Sequence, residues 1–329
     1  MSFGLAALLS LAAASFDAQW AASLAPNSAV ELPAGVYAGP WRLAPGIHVT
    51  AGLGAVLEGS AGADAALTLT GAARIEGLRI EVAPGAYGIR VERDKVELIG
   101  VHLNADRPAK AAIYVAHGEV AMTGGQIEGL ADYGVLAQQA RRVTLTGVAI
   151  HGVRAGAAAV SGPTVIDNCA FTGPFSEAAI SLIQVAEARL IRNRLSAVKT
   201  MGIKLTNSTA TLSENRVTGA RADAQGLEGN SLYAEASNVT LAGDQLGDAS
   251  SASEGPVIML LHSTARLDGV RVEGGLETLV YLAEGSKLTA SGSELHGGRV
   301  GLTVEDGSSA SERGFQFVDV TRPLLKLAR

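Results

Sequence analysis

Tyr87-Gly-Ile-Arg-Val91 is the first clear copy of a five-residue motif, and variants such as Ala111-Ala-Ile-Tyr-Val115 and Met201-Gly-Ile-Lys-Leu205 return along the chain. Most copies begin 22 to 24 residues after the one before. A repeat of this length is typical of one turn of a solenoid. The third residue of each copy gives the register, at Leu67, Ile89, Ile113, Val135, Ala158, Ile180, Ile203, Leu232, Ile258, Val280, Leu302 and Leu325.

Each repeat predicts three strands. The third and fifth motif residues are apolar, and alternation at period two points both side chains to one side of a strand. About ten residues later a second apolar pattern encloses two turn residues, as in Leu98-Ile-Gly-Val-His-Leu103. Gly, Asn and Asp at its centre favour a tight bend, because they tolerate unusual backbone angles. Stacked coils therefore predict three parallel sheets, in a rod about 55 Å long at about 4.8 Å per coil.

The opening of the chain resembles that of a known family. Residues 17–39 contain a short amphipathic segment and the run Leu32-Pro-Ala-Gly-Val-Tyr37. This stretch resembles the helix, first strand and turn that open proteins of the right-handed parallel β-helix, or pectin-lyase-like, superfamily. The resemblance implies an all-β fold, a right-handed single-stranded parallel β-helix of about 12 coils with a capping helix from Asp17 to Leu24. Many functions share this fold.

Short signatures of the enzymes built on this fold are missing. The chain has no Gly-His-Gly of the polygalacturonase type, no Trp-Ile-Asp-His of pectate lyases and no Asp-Pro-His of alginate epimerases. No specific enzyme family is matched, so the sequence leaves open whether the protein is catalytic. A catalytic member would be expected to act as a polysaccharide lyase, epimerase or hydrolase.

The chain shows no linker, so residues 16–329 are predicted to form a single β-helix domain. Residues 1–15 have two interpretations. Their apolar centre and small-residue end are typical of a signal peptide, whereas Leu8 and Ala12 continue the spacing of the capping helix. A periplasmic or secreted location is expected, with no transmembrane span, because no other run of about 20 apolar residues occurs.

The amino-acid composition restricts the classes of partner that the protein is expected to bind. A net charge of −6 and 4% aromatic residues argue against nucleic acid, which favours a basic surface. The histidines show no metal-ligand spacing, so no cofactor is expected, although Ca²⁺ near Asp223, Asp244 and Asp248 stays open. Cys169 is expected to pack as a small hydrophobe in the inward column of the bends. The expected partner is a polysaccharide or cell-envelope glycan.

Two repeats are longer than the others and point to a site. The interval from Ile203 to Leu232 is 29 residues, and that from Leu232 to Ile258 is 26. In enzymes of the pectin-lyase-like superfamily, which the chain resembles, loops that enter the first sheet commonly form the walls of a substrate groove. The resemblance therefore places a groove around residues 203–260, on the outward side of the first sheet.

The candidate catalytic residues are Lys204, Tyr233, Asp223 and Glu235, with Arg221 as a further binding residue. Lys204 and Tyr233 are neighbours in the stack of outward positions. A lysine beside a tyrosine can bind a uronate carboxylate and move a proton next to it, as a lyase or C5-epimerase requires. The other interpretation is an ordinary solvated sheet surface.

A second cluster on the same face contains Arg90, Tyr114 and His117, which are predicted to extend a sugar-binding track with Lys204 and Tyr233. The competing function is non-catalytic. Regular Ala/Gly-rich coils and missing enzyme motifs favour an adhesin, a spike or an assembly scaffold. Such a protein would form a homo-oligomer or bind a protein partner at its C-terminal coil, where strand edges need covering.

Overall fold

A computed structural model describes residues 16–198, 200–220, 229–248, 255–274 and 277–328. Within these ranges the chain is a parallel β-solenoid of about twelve turns with a short helix at its N-terminal end. Each turn adds one strand to each of three sheets, and every strand pairing is parallel. The predicted fold class is therefore confirmed. Sheet 1 carries the repeated motif, and sheets 2 and 3 follow it along the chain.

The strands of each sheet recur once per turn, and two long strands, His102–Val115 and Gln126–Gln138, run from sheet 3 into sheet 1. Sheet 1 also contains Trp41–Leu43, Ala65–Leu69, Tyr87–Val91, Ala155–Val160, Ala178–Ile183, Met201–Thr206, Leu232–Glu235, Ile258–Leu261, Thr278–Ala283, Val300–Glu305 and Arg322–Leu327. Sheet 2 contains Ala29–Leu32, Ile47–Ala51, Ala73–Glu76, Lys95–Ile99, Glu119–Thr123, Arg142–Thr146, Thr164–Asp167, Ala188–Ile191, Thr209–Ser213, Asn238–Ala242, Thr264–Asp268, Lys287–Ser291 and Ser309–Ala310. Sheet 3 also contains Gly35–Ala38, Ala55–Glu58, Arg79–Glu81, Ala149–His151, Ala170–Thr172, Arg194–Ser196, Arg216–Val217, Gln245–Gly247, Arg271–Glu273, Ser293–His296 and Phe315–Val318.

The predicted register holds along most of sheet 1. Ile89 pairs with Leu67 on one side and Ile113 on the other, and all three are fully buried. Two predicted positions are wrong by one residue. Ala157, not Ala158, pairs with Val135, and Leu324, not Leu325, faces the core. Consecutive alanines and consecutive leucines do not differ in size, so nothing in the sequence marks which one points inward.

Small residues at the second motif position allow neighbouring coils to approach. A Cβ atom at Gly156 would lie 2.4 Å from the carbonyl oxygen of Ala179, and one at Gly134 would lie 2.5 Å from the carbonyl oxygen of Gly156. Both distances are below van der Waals contact. The glycines of the motif are therefore required by packing between coils.

A bend with a residue in the left-handed region joins sheet 2 to sheet 3 in most of the turns that the structure describes. The φ angle is 58° at Gly100, 64° at Gly147 and 53° at Asn168, as the Gly and Asn at this position predict. Arg192 and Glu214 occupy the same place with φ angles of 52° and 57°. These two residues adopt the strained conformation without the freedom of glycine.

The residue after this bend points into the core and forms the column predicted to contain Cys169. Val101 and Val148 fill it with apolar side chains, and Cys169 is also buried. Burial raises the pKa of the Cys169 thiol to about 11, so the thiol stays protonated near neutral pH. The cysteine packs as a small hydrophobe, as predicted, and its Sγ atom accepts a hydrogen bond of 3.4 Å from the Val148 backbone N–H.

The next three residues of this column are polar and form a hydrogen-bonded ladder. Asn193 Oδ1 accepts from the Cys169 backbone N–H at 2.9 Å, and Asn215 Oδ1 accepts from the Asn193 backbone N–H at 3.0 Å. Asp244 Oδ1 accepts from both the backbone N–H and the side-chain amide of Asn215, each at 2.8 Å. The amide of Asn215 also donates to the Leu190 carbonyl at 2.7 Å. Each side chain therefore links its own turn to its neighbours.

The N-terminal end of the solenoid is covered by the helix α1, Ala18–Ser23. Asp17 caps it, since the Asp17 carboxylate accepts from the backbone N–H groups of Gln19 and Trp20 at 2.9 and 3.0 Å. Trp20 packs on Trp41 of the first turn with 5.2 Å between ring centroids. The predicted capping helix is confirmed.

Residues 1–15 lie outside the described part of the chain, and both interpretations of them stay predictions. Across the residues that the structure describes, no helix has the length and apolar character needed to cross a membrane.

Candidate functional site

Tyrosines are concentrated on the outward side of sheet 1. The chain has six tyrosines. Five of them lie on sheet 1 strands with partly exposed side chains, at Tyr87, Tyr114, Tyr133, Tyr233 and Tyr281. The sixth, Tyr37, is buried under the N-terminal helix. In the stretches of sheet 2 that the structure describes, no strand carries an aromatic residue, so this feature distinguishes one face of the rod.

Cations lie over four of these rings. Lys110 Nζ is 5.0 Å from the ring centroid of Tyr87, and the guanidinium of Arg90 is 5.8 Å from that of Tyr114. The same geometry relates Arg154 to Tyr133 at 5.4 Å and Lys204 to Tyr233 at 5.9 Å. A cation within about 6 Å of a ring attracts its electron-rich face and restrains its orientation.

The structure brings the predicted residues Arg90 and Tyr114 together in a larger cluster. The rings of Tyr87 and Tyr114 are stacked, with centroids 4.6 Å apart and an interplanar angle of 17°. Asp64 forms ion pairs with both Arg90 and Lys110. Partial burial acts to raise the pKa of Asp64, but the hydrogen bonds from Lys110 and Arg90 outweigh it and lower that pKa. Asp64 therefore compensates one of the two positive charges of this cluster.

His117 does not join this cluster. It lies in the exposed bend that connects sheet 1 to sheet 2. Its predicted role in sugar binding has no geometric support from the rings of Tyr87 and Tyr114, and it stays a prediction.

Lys204, Tyr233 and Glu235 are neighbours. Lys204 pairs with Tyr233 across adjacent strands, and the Tyr233 hydroxyl donates to Glu235 Oε2 at 3.3 Å. Asp223 and Arg221, which were predicted to complete this group, lie outside the described residues. The proximity of Lys204 and Tyr233 follows the predicted stack of outward positions, and their catalytic role stays a prediction.

A groove of about 440 Å³ runs across sheet 1 on the N-terminal side of Lys204. Tyr133 and Leu136 line one end, Met201 and Lys204 line the other, and Ala158 and Ser181 lie between them. The sequence predicted a groove around residues 203–260. The groove described here is lined by residues between Tyr133 and Lys204, so it overlaps the predicted range only at Lys204. A second depression of about 350 Å³ is lined by Met259, Tyr281 and Thr303. Of these three residues, Met259 lies within the predicted range and the other two lie beyond it.

A wider cleft of about 670 Å³ lies on the sheet 3 side near the N-terminal end. Several of its polar groups hydrogen-bond to one another. The Asn104 amide donates to Glu81 at 2.8 Å and to Asp106 at 2.9 Å, and Arg79 donates to Glu81 at 2.6 Å. The sheet 1 groove differs because one of its polar groups without a partner among the described residues is buried, and it is the stronger candidate site.

One such group belongs to Thr200, which the sequence pattern did not indicate, and another to Lys204, which it did. The Thr200 hydroxyl lines the sheet 1 groove, is buried, and has no hydrogen-bond partner in the described part of the chain. Lys204 has no carboxylate within 4 Å among the same residues, whereas Arg90, Lys110 and Arg154 are all ion-paired. Thr200 lies outside every motif, and only its position beside Lys204 in the folded chain reveals it.

The described residues contain no group of three or more His, Cys, Asp or Glu side chains that could hold a metal ion. Of the predicted calcium ligands, Asp244 is buried in the ladder, Asp248 accepts a hydrogen bond of 3.0 Å from the Gly219 N–H, and Asp223 lies outside the described ranges. Calcium binding in these loops stays a prediction.

A family model described as "Right handed beta helix region" matches residues 87–246, just under half of the chain. These residues include both tyrosine clusters and the groove. The chain is a right-handed parallel β-helix. No curated protein matches this β-helix by sequence.

Solved β-helix structures resemble the chain in fold. A structure of PfbA, a surface adhesin of Streptococcus pneumoniae, is 13% identical with a TM-score of 0.51, and the match covers 93% of this β-helix and 84% of PfbA. The GH136 lacto-N-biosidase from Eubacterium ramulus is 10% identical with a TM-score of 0.42, over 92% of this β-helix and 62% of the enzyme. At 13% identity, the match to PfbA shows a shared fold alone.

Proposed function

We propose that the protein binds a polysaccharide along the outward face of sheet 1. The observation that carries the proposal is the placement of five of the six tyrosines on that face. A tyrosine offers a rigid apolar ring with a polar hydroxyl, which suits the apolar and hydroxyl-bearing faces of a sugar. Four of the rings carry a cation, and one of these cations, Lys204, has no carboxylate within 4 Å among the described residues, which favours a glycan with acidic groups.

The geometry suits a polymer. Successive turns are spaced by about 4.8 Å, so sheet 1 presents its rings and depressions as a continuous track along the rod. Tyr114 lies on the N-terminal side of the groove and Tyr233 on its C-terminal side. A chain of sugars could contact both at once. PfbA, the β-helix with a TM-score of 0.51, is a surface adhesin, and an exported location, periplasmic or secreted, is part of this proposal.

Affinity electrophoresis tests this function. The protein would be run through gels that contain dextran, polygalacturonate or no polysaccharide, beside a Tyr114→Ala/Tyr233→Ala variant. We expect one glycan to retard the protein and the variant to bind it at least about tenfold more weakly, or about 1.4 kcal/mol. A Thr144→Ala/Thr240→Ala variant, altered at two outward positions of sheet 2, should migrate as the unmodified protein does.

Retardation that is equal in all three proteins would exclude the sheet 1 face. No retardation by any glycan would favour the alternative, a non-catalytic adhesin or assembly scaffold that recognises another partner. Folding of each variant would be checked by its circular dichroism spectrum.

A catalytic role is the second candidate, and the Tyr233–Glu235 hydrogen bond beside Lys204 favours it. In a lyase or C5-epimerase, Lys204 would neutralise the uronate carboxylate while one of Tyr233 and Glu235 accepted the C5 proton. In the lyase the C4–O bond would then break and the other group would protonate the departing oxygen, and in the epimerase the other group would return a proton to C5. Ultraviolet absorbance of an unsaturated uronate would report the lyase reaction. Solvent deuterium incorporated at C5 would report the epimerase reaction, and Tyr233→Phe should abolish either signal.

A further inference from the structure

The groove between Tyr133 and Lys204 has the dimensions and the small-residue floor of a binding subsite. Its volume of about 440 Å³ falls in the range of ligand pockets, which is roughly 300–1,000 Å³. Ala158, Ala178 and Ser181 line it where larger side chains would fill it. Larger residues stand at the two ends, with the Tyr133 ring at one and Lys204 at the other. A sugar ring can therefore enter between them.

The charge at the Lys204 end is uncompensated. Among the described residues no carboxylate lies within 4 Å of the Lys204 ammonium, which lies 5.9 Å from the ring centroid of Tyr233. At the opposite end of the groove, Arg154 forms ion pairs with both Asp132 and Glu177, so these three residues together have a net charge of −1. An anion in the groove would be attracted by Lys204 and would meet no unpaired carboxylate among the described lining residues.

Thr200 supplies an independent sign that a ligand belongs here. Its side chain is only 1% exposed, and its hydroxyl lacks a hydrogen-bond partner in the part of the chain that the structure describes. A buried polar group without a partner costs about 1–3 kcal/mol, so such groups call for an explanation. Thr200 lines the same groove as Lys204, four residues away in sequence. A ligand oxygen in the groove would give this hydroxyl its partner.

We propose that this groove is a subsite for an acidic sugar residue of the polysaccharide. Its anionic group, a carboxylate or a sulfate ester, binds Lys204, and a ring or hydroxyl oxygen binds the Thr200 hydroxyl. The Tyr133 ring, held by Arg154, packs against the sugar from the other end. The inference rests on the proposed function, since it assigns an acidic ligand to one segment of the sheet 1 face.

The test compares glycans that differ only in charge. Dextran is paired with dextran sulfate, and polygalacturonate with its methyl ester, and dissociation constants are measured at low and high salt. We expect the charged member of at least one pair to bind at least about tenfold more tightly, with the preference falling as salt rises. The pair that shows the preference identifies the anion as sulfate or carboxylate.

Two lysine variants with the same change in net charge separate the site from general electrostatics. Lys204→Gln should reduce the preference for the charged glycan at least about fivefold, a loss of about 1 kcal/mol. Lys287→Gln, on the outward side of sheet 2, should leave the preference unchanged. If both variants lose the same amount, or neither loses any, the subsite is not at Lys204.

Thr200→Val gives a readout that a purely structural role would not produce. Valine matches the shape of threonine without the hydroxyl, so the melting temperature should stay the same or rise. Affinity for the charged glycan should nevertheless fall by about fivefold. Affinity that is unchanged would overturn the assignment of Thr200.

Failure of the subsite and failure of the proposed function are distinguishable. Equal binding of charged and neutral glycans that still depends on Tyr114 and Tyr233 would overturn the acidic subsite and keep the polysaccharide-binding face. Absence of binding to all four glycans would overturn both.

Discussion

The bend between sheet 2 and sheet 3 is supported in two different ways along the same rod. In the N-terminal half its inward position is apolar, as at Val101 and Val148. In the turns beneath Lys204 and Tyr233 the same position is Asn193, Asn215 or Asp244, each joined to its neighbours by hydrogen bonds. The backbone follows the same path in both regions. Packing alone can therefore hold this bend. The polar ladder must contribute a property that packing does not provide.

Hydrogen bonds fix register in a way that packing does not. A valine tolerates a small shift of the next turn, whereas Asn215 has partners in two directions that a shift would break. The ladder lies in the turns that carry Lys204 and Tyr233 and in one adjacent turn. We infer that it keeps those turns aligned where the loops between them are longest.

The largest expected effect comes from breaking the ladder at its centre. Asn215→Val leaves the Asn193 backbone N–H and the Leu190 carbonyl without their side-chain partners, which should lower the free energy of unfolding by about 4 kcal/mol. Val148→Ala, at the equivalent apolar position, should cost about 2 kcal/mol. Thermal unfolding followed by circular dichroism measures both. Equal costs would mean that the ladder contributes only as packing.

The next effect concerns the carboxyl group at the end of the ladder. Burial raises the pKa of Asp244 to about 6, although hydrogen bonds from Asn215 and Ala242 oppose this. Its ordinary value is 3.8, so between about pH 4 and pH 6 the folded protein holds a proton that the unfolded chain releases. The free energy of unfolding should therefore fall by about 3 kcal/mol as pH rises through this window, and stay lower above it.

Asp244→Asn isolates this contribution. The new amide can accept from Asn215 and donate to the Leu212 carbonyl, as Asn215 does to Leu190 in the preceding turn. It loses the hydrogen bond from the Ala242 N–H, so the gain at pH 8 should be about 2 kcal/mol. Melting temperatures at pH 4 and pH 8 should converge in the variant. A pH dependence that persists would assign it to another group.

A smaller effect is expected from the backbone of the bend itself. Gly147→Ala should cost about 1 kcal/mol, because its φ of 64° disfavours a Cβ while no atom lies within 4 Å to obstruct one. Glu214→Gly relieves the same strain at φ 57° and should gain up to about 1 kcal/mol. Chemical denaturation of both variants gives the two signs. Two losses would show that Glu214 contributes through its side chain.

The smallest effect should come from the outer surface of the bend. Arg192 donates to both carboxylate oxygens of Asp167, at 2.7 and 2.8 Å, but the Arg192 side chain is 54% exposed. Asp167→Asn should therefore cost less than about 1 kcal/mol, and the difference should disappear at high salt. A larger, salt-independent loss would mean that this pair supports the ladder below it.

Most of the fold could be predicted because its repeat is simple. Branched residues such as Ile89 and Ile113 mark the inward side of each strand, and glycine marks the bend. The prediction failed where side chains of equal size are adjacent, at Ala157 and Leu324, since size was the signal. The ladder could be located as a column that contains Cys169, but its hydrogen bonds depend on distances between turns that a sequence does not contain.

The candidate site could be predicted only in part. Stacking the repeats was sufficient to place Lys204 beside Tyr233. The groove depends on the small side chains of Ala158 and Ser181. Small residues at these positions form no motif that could be recognised in the sequence. Thr200 became a candidate because its hydroxyl is buried without a hydrogen-bond partner among the described residues, and only the folded chain shows this.

Both tryptophans of the protein lie at the N-terminal end of the rod, where Trp20 of the capping helix packs against Trp41 of the first turn. Their emission therefore reports the docking of the cap and little else. An unfolding transition seen by tryptophan fluorescence could occur while the ladder remains intact, and a glycan titration at the groove would leave the signal unchanged. Leu136→Trp would place a fluorophore at the groove, preferably in a variant whose native tryptophans had been replaced.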